Sequence, residues 1–216
     1  MNRFSFKRKL TDYSKVQAII GPLIRGKKSF IKNKRTRNLE YLDIGCGPNI
    51  STDFVNLDYS WTPKIDVCWD LTKNDLPFSD NRFKGIYTEH CFEHITFEEF
   101  KRNMKEIHRI LKPGGTLRLI MPDGELYLDI YHSRKNGENI KMPYEEGYIS
   151  TIHRINGIFR NHGHQFIYDY ATVKIILEGA GFTQISKEQF KQGKDKLLLR
   201  DTEHRAFESL YVEATK

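Results

Sequence analysis

Acidic side chains and a histidine stand at the ends of several apolar stretches of the chain, where neighbouring strands would bring them together. They are Asp43, Asp58, Asp70, Glu89 and His90. Carboxylates attract cations and accept hydrogen bonds from hydroxyl groups. A histidine titrates near neutral pH, so His90 is suited to take a proton from a reacting hydroxyl or ammonium group. This pattern indicates a site for a cationic, hydroxyl-bearing ligand with a general base beside it.

A glycine-rich turn follows the first apolar strand. Gly45 and Gly47 allow positive φ and close approach of the backbone to a ligand. A dinucleotide would favour a third glycine where Ile50 stands and a backbone N–H that Pro48 lacks, and Asp43 would disfavour its phosphates. S-adenosylmethionine has no phosphate and carries a sulfonium and an ammonium group. It is therefore the ligand that this turn favours.

Five short blocks continue from this strand in a defined order. They are Leu42–Gly47, Asn56–Asp58, Trp69–Leu71, Tyr87–His94 and Leu111–Thr116. In these blocks the chain resembles the class I S-adenosylmethionine-dependent methyltransferases, and it looks most like the small type 11 group found in biosynthetic clusters. The resemblance covers residues 39–214. It implies an α/β fold that is Rossmann-like and doubly wound, with a seven-stranded, mostly parallel sheet whose last strand is antiparallel.

The resemblance also implies which residues meet the cofactor. Asp58 would accept hydrogen bonds from the ribose hydroxyls, and Asp70 and Leu71 would meet the adenine. The complete set of expected cofactor contacts is Asp43, Gly45, Cys46, Gly47, Asp58, Tyr59, Asp70, Leu71 and Glu89. Only eleven residues separate Gly47 from Asp58, so we expect the first crossover helix to be short or absent.

The segment after the fourth predicted strand contains the expected catalytic residues. We predict that His90 is the general base and that Glu89 contacts the cofactor or orients the acceptor. Glu93 and His94 are expected to brace the start of the next helix. A capping box begins that helix at Thr96, and a buried apolar stripe follows at helical spacing.

An insertion at residues 124–168 is rich in polar aromatic and basic side chains, and we expect it to shape the acceptor site. The predicted substrate contacts are Asp123, Tyr127, Arg160, His162 and His164. A helix N-cap is an equally good interpretation of Asp123. His162 and His164, with His153, could be considered metal ligands. We predict no metal site, because no acidic or cysteine ligand lies at supporting spacing.

Positive charge is concentrated in a leader at residues 1–38, which has twelve Lys or Arg residues and one acidic residue, within a total net charge of +7. The methyltransferase domain would then be residues 39–216 and mildly acidic. The leader could contact nucleic acid, an anionic membrane surface or an acidic substrate, or it could be a solvated, partly helical segment. Apolar residues from Val16 to Ile24 at helical spacing predict one or two short amphipathic helices. The resemblance implies that such leader helices form a lid over the cofactor pocket.

The chain has no apolar run long enough to span a bilayer, so we expect a soluble, cytoplasmic protein. The three cysteines, Cys46, Cys68 and Cys91, are widely spaced and indicate reduced thiols. We predict methyl transfer from S-adenosylmethionine to a small molecule, and analogy with the type 11 group suggests a sugar-containing one. A nucleic-acid methyltransferase is less favoured, because no Asn/Asp-Pro-Pro-Tyr/Phe block follows the fourth strand. A non-catalytic cofactor-binding scaffold is the other alternative.

Overall fold

The computed structural model describes residues 12–216. Part of the basic leader, including Arg3, Lys7, Arg8 and Lys9, lies outside the described residues. The described leader contains helices α1 (Asp12–Ile24) and α2 (Asn33–Thr36). Among the described residues, no helix combines the length and apolar character needed to cross a membrane.

One mixed sheet forms the centre of the fold. Its strands are β1 (Tyr41–Ile44), β2 (Phe54–Asp58), β3 (Val67–Cys68), β4 (Phe83–Glu89), β5 (Leu111–Pro122), β6 (Thr183–Glu188) and β7 (Ser209–Thr215). They are ordered β3-β2-β1-β4-β5-β7-β6, and β7 runs antiparallel to both of its neighbours. This arrangement confirms the predicted fold. The third strand is shorter than the apolar stretch 65–69 suggests, because only two of its residues pair with β2.

Helices α3 (Phe97–Ile110), α4 (Gly124–Lys135), α5 (Thr151–Arg160) and α6 (Tyr170–Ala180) complete the fold. The predicted capping box is present, with Thr96 and Glu99 bonded to each other's backbone N–H. Helices α3 and α6 cover one face of the sheet and form the main core with it. Helices α4 and α5 lie in the insertion and share a second, smaller core.

The other face of the sheet is covered by a segment with two short 3-10 helices, Lys196–Leu198 and Glu203–Arg205, in place of α-helices. No helix interrupts residues 45–53 between β1 and β2, as the short spacing predicts. Residues 189–208, here called the covering loop, pack there instead, with Leu198 buried against Phe54 and Tyr87. Because this loop lacks regular backbone pairing, side chains must hold it to the sheet.

Arg118 supplies much of that anchorage. Its side chain is fully buried, and its guanidinium bonds to Asp201 at 2.7 Å and to Glu213 at 3.0 Å. It also donates to the backbone carbonyls of Gln189 and Gln192. A buried guanidinium surrounded by acceptors has its charge compensated and its donors used. The covering loop is thereby pinned over β5 and β7.

Candidate functional site

The carboxyl ends of β1, β2 and β4 form the crevice where open α/β sheets bind ligands. Strand β1 pairs with β2 on one side and with β4 on the other, so the strand order reverses direction there. The glycine turn leaves β1 at this point, Asp58 ends β2, and Glu89 ends β4. The predicted residues therefore meet at the topological switch point of the sheet.

The glycine turn is closed on the carboxylate of the neighbouring strand. Gly45 and Gly47 have φ values of 74° and 53°, in the left-handed region. The Gly47 N–H donates to Asp58 Oδ2 at 2.9 Å, and the Ser60 N–H donates to Asp58 Oδ1 at 2.7 Å. A side chain at Gly45 would collide with Cys91 Sγ at 2.5 Å, whereas no described atom lies within 4 Å of the Cβ position at Gly47. The turn is fixed, and space is open above Gly47.

An arginine from the leader contacts Tyr59 and acts against the raised pKa of the adjacent Asp58. Burial raises the pKa of Asp58, while the Ser60 and Gly47 N–H groups and Arg25 oppose the rise. The Arg25 guanidinium lies 3.6 Å from the centroid of the exposed Tyr59 ring, and its Nε donates to the Tyr59 carbonyl at 2.8 Å. The leader thus extends to two of the predicted cofactor residues. The adjacent Cys46 is buried, which raises its thiol pKa.

Asp43 is buried beneath an arginine of the covering loop. Arg200 Nη1 lies 2.7 Å from Asp43 Oδ2, and Arg200 Nη2 donates to the Asn49 carbonyl at 2.9 Å. The pKa of Asp43 is raised to about 7, chiefly by burial; Arg200 opposes the rise, and nearby Glu89 and Asp58 add to it. Sequence reasoning missed Arg200, because it lies 157 residues from Asp43 and belongs to no motif.

Glu89 also holds the covering loop. It accepts hydrogen bonds from the Thr202 N–H at 2.9 Å and from the Thr202 hydroxyl. The carboxylates of Asp43 and Glu89 therefore bind two residues of one loop. The crevice contains Asp43, Asp58 and Glu89 together with two arginines, Arg25 and Arg200, that partly neutralise them.

Asp70 and Leu71 lie beside the β2 end and make local contacts. Asp70 accepts hydrogen bonds from the Thr72 N–H at 3.0 Å and the Thr72 hydroxyl at 2.7 Å. Leu71 is buried, and its carbonyl accepts a bond from Asn103. Within residues 12–216, no hydrogen bond joins Asp70 directly to Asp43, Asp58 or Glu89.

His90 occupies a left-handed position with φ of 48° directly after β4. Its Nε2 lies 2.8 Å from Ser209 Oγ, and its Nδ1 lies 3.3 Å from Glu93 Oε1. Because Ser209 Oγ donates its proton to the Arg205 carbonyl, it accepts from His90 Nε2. Nε2 thus carries a proton, and Nδ1 is turned toward the buried Glu93 carboxylate, so neither ring nitrogen presents a lone pair to an acceptor. His90 could act as a general base only if these contacts changed. Its catalytic role stays a prediction.

Two of the predicted substrate contacts have structural roles. Tyr127 is fully buried; its hydroxyl donates to Glu208 at 2.9 Å and accepts from Arg154 at 2.9 Å. This corrects the expectation that Tyr127 meets the acceptor, because both the ring and the hydroxyl are used in the insertion's core. Asp123 is the N-cap of α4, as the alternative interpretation states, and also lies 3.3 Å from Lys187 Nζ.

The remaining predicted substrate contacts lie in two places: two are exposed to solvent, and one lies near the β4 end. Arg160 and His162 are exposed. His164 is half-buried, with its ring centroid 4.9 Å from that of His94. His153 instead packs against Tyr148 with ring centroids 4.9 Å apart, so it does not join a set with His162 and His164.

Comparison with known protein families gives one broad match. The family described as "Methyltransferase domain" matches residues 17–187, which include part of the leader and most of the sheet. The match confirms the resemblance noted from the five sequence blocks.

Curated relatives match a shorter region. Demethylmenaquinone methyltransferases from two strains of Tropheryma whipplei, Twist and TW08/27, are each 28% identical over 120 residues. That alignment covers 43% of this chain and 49% of each relative, so the chain spans about half the length of these relatives.

A solved structure shares the fold, and another is similar at a lower score. A SAM-dependent methyltransferase from Archaeoglobus fulgidus superposes with a TM-score of 0.53 at 14% identity, covering 93% of this chain and 94% of the other. Phosphoethanolamine N-methyltransferase 2 of Haemonchus contortus, solved with S-adenosyl-L-methionine, gives a TM-score of 0.46 at 16% identity, covering 86% and 51%.

Proposed function

Since the chain belongs to the methyltransferase-domain family, we propose that it transfers a methyl group from S-adenosylmethionine to a small-molecule acceptor. In such a reaction a lone pair of the acceptor attacks the sulfonium methyl carbon, and the carbon–sulfur bond breaks toward sulfur. S-adenosylhomocysteine leaves, and the acceptor gives up a proton.

The observation that carries the proposal is the bond between the Gly47 N–H and Asp58 Oδ2. It sets the glycine turn beside the carboxylate that would hold the ribose. Each carboxylate oxygen has two lone pairs, so Asp58 can accept from the ribose hydroxyls while keeping its bonds to Gly47 and Ser60. The open space above Gly47 suits close approach of the nucleoside.

Two arginines contact residues that the cofactor would bind. Asp43 would bind the ammonium group, which must share this carboxylate with Arg200 or displace it. Tyr59 offers an aromatic face for the adenine, and Arg25 now stacks on that ring. The contact supports the proposal that the leader is a lid, since cofactor entry would require Arg25 to move or to stack elsewhere.

The acceptor would lie beyond the β4 end, between His90 and the insertion. Polar groups surround this region, including Glu89, His90 and His164. They support a polar acceptor, and a sugar-containing compound is the class to test first. The curated relatives are named for action on demethylmenaquinone, so an aromatic quinol belongs in the same panel.

Calorimetry with S-adenosylmethionine and S-adenosylhomocysteine tests cofactor binding, and transfer of a labelled methyl group to an acceptor panel tests turnover. We expect one cofactor per chain, and methylation of at least one compound in the sugar or quinol sets. No heat with either nucleoside would overturn the proposal. Cofactor binding without turnover on these compounds or on metabolite extracts would favour the scaffold interpretation.

A further inference from the structure

Three side chains of metal-ligand type converge where the insertion meets the end of β4. Glu93 and His94 belong to the short turn Phe92–His94 after β4, and His164 comes from the far end of the insertion. The Gln165 N–H donates to the Glu93 carbonyl at 2.7 Å, which fixes His164 beside that turn. One ligand atom from each of the three residues lies within 4.8 Å of the other two.

Glu93 is a buried carboxylate with unused acceptors. Its side chain is 1% exposed, and among the described residues neither oxygen has a partner in hydrogen-bond geometry. His90 Nδ1 approaches Oε1 to 3.3 Å and His94 Nε2 to 3.9 Å, so imidazoles face this oxygen from two sides. Buried charges are costly unless they are paired or bind a cation. A cation at this point would satisfy Glu93.

His164 is held in the tautomer that a metal requires. Its Nδ1 lies 2.6 Å from the Ile158 carbonyl, which can only accept, so Nδ1 carries the proton. The other ring nitrogen, Nε2, then presents its lone pair. A backbone carbonyl that orients the imidazole in this way is the usual outer contact of a metal-bound histidine.

His94 gives the cluster access to solvent. Its side chain is 39% exposed, whereas Glu93 is buried. A metal about 2.1 Å from each ligand in tetrahedral geometry needs ligand atoms about 3.4 Å apart. The three ligand atoms lie within 4.8 Å of one another, so metal binding would require the exposed His94 ring to turn inward. Water can fill the fourth position.

We infer that Glu93, His94 and His164 bind one divalent transition-metal ion. Two imidazoles and one carboxylate suit Zn²⁺, Mn²⁺, Fe²⁺ or Co²⁺ better than a purely oxygen-seeking cation. The ion would link the insertion to the β4 end, next to His90. The inference goes beyond the proposed function and replaces the sequence-based prediction of no metal site, which considered only His153, His162 and His164.

Titration of the full, tag-free chain with Zn²⁺ or Co²⁺ after chelator treatment tests the inference. We expect one ion per chain by calorimetry and by metal analysis after dialysis, with a visible Co²⁺ absorption spectrum. His164→Ala and Glu93→Gln should each weaken binding at least tenfold. His162→Ala is the matched control, because that histidine is exposed nearby but outside the cluster. The metal affinity of this variant should equal that of the wild type.

Circular dichroism in chelator establishes that each variant folds; if His164→Ala does not, His94→Ala at the exposed ligand decides in its place. Absence of saturable one-ion binding by the wild type would overturn the inference. Equal affinity in the wild type and His94→Ala would do the same, as would a matching loss in His162→Ala. The titrations contain no nucleoside, so their failure leaves the cofactor-binding test of the proposed function intact.

Discussion

Protonation of Asp43 should control cofactor binding. Burial raises the pKa of Asp43 to about 7, and we expect the ionised form to bind the cofactor's ammonium group. At pH 6 about nine-tenths of the carboxyl groups are then protonated in the free protein. If the bound cation restores an ordinary pKa, binding at pH 6 releases about 0.9 proton per chain. Affinity should rise roughly tenfold from pH 6 to pH 8.

Calorimetry in buffers of different ionisation enthalpy measures this proton directly. Asp43→Asn should release no proton at pH 6. Its affinity for the cofactor should not show the roughly tenfold rise that Asp43 causes between pH 6 and pH 8. The cofactor's own amino group titrates near pH 8, so the ratio of wild-type to variant affinity is the quantity to follow. Asp53→Asn, at an exposed site, is the control and should match the wild type.

Replacement of Arg200, which contacts Asp43, is a second test of what sets the pKa of Asp43. Arg200 opposes the rise in the pKa of Asp43, so Arg200→Ala should move the proton-release midpoint to higher pH. Identical proton release in the wild type and Asp43→Asn would refute the reasoning.

The free energy of unfolding gives a second check. Because the folded pKa is raised, the stabilisation from Asp43 is complete below about pH 4 and is lost as pH rises through 7.

Three further substitutions and one control have defined outcomes. Asp58→Ala should weaken S-adenosylmethionine binding by about 1.5–3 kcal/mol, or about tenfold to a hundredfold, by calorimetry; unchanged affinity would place the ribose elsewhere. His90→Ala should lower turnover strongly with little change in cofactor affinity, and full activity would assign the proton transfer to another group or to none. Arg118→Ala leaves Asp201 and Glu213 buried without their partner and should cost about 3–5 kcal/mol in urea unfolding. Lys101→Ala, which removes an exposed pair with Glu98 and a contact with the Phe97 ring, should cost about 1 kcal/mol or less, and a similar loss in both variants would contradict the role given to Arg118.

Local patterns predicted much of the fold. The capping box at Thr96 and the apolar stripe after it specify α3, because side chains within one helix lie only three or four residues apart. Glycine spacing predicted the β1 turn, and the short distance from Gly47 to Asp58 predicted a crossover helix that is short or absent; the structure has none there. Each signal depends on neighbouring residues, so the sequence carries it directly.

Local patterns did not predict the contacts of the covering loop. Arg200 meets Asp43, and Thr202 meets Glu89, across more than a hundred residues. No periodicity specifies those pairs, because they depend on how the covering loop crosses the sheet. The folded chain brings Asp43, Asp58 and Glu89 to one crevice, and their charge is partly neutralised by arginines that no local pattern predicts.

The sequence by itself determined which acids and glycines stand at the strand ends, since strand alternation and turn chemistry are local properties. Tertiary structure decided which of the insertion's polar residues are accessible: it buried Tyr127 in a small core and placed His164 beside Glu93 and His94. Residues separated by about seventy positions meet only after the sheet and insertion have packed. Their chemistry is therefore a property of the fold.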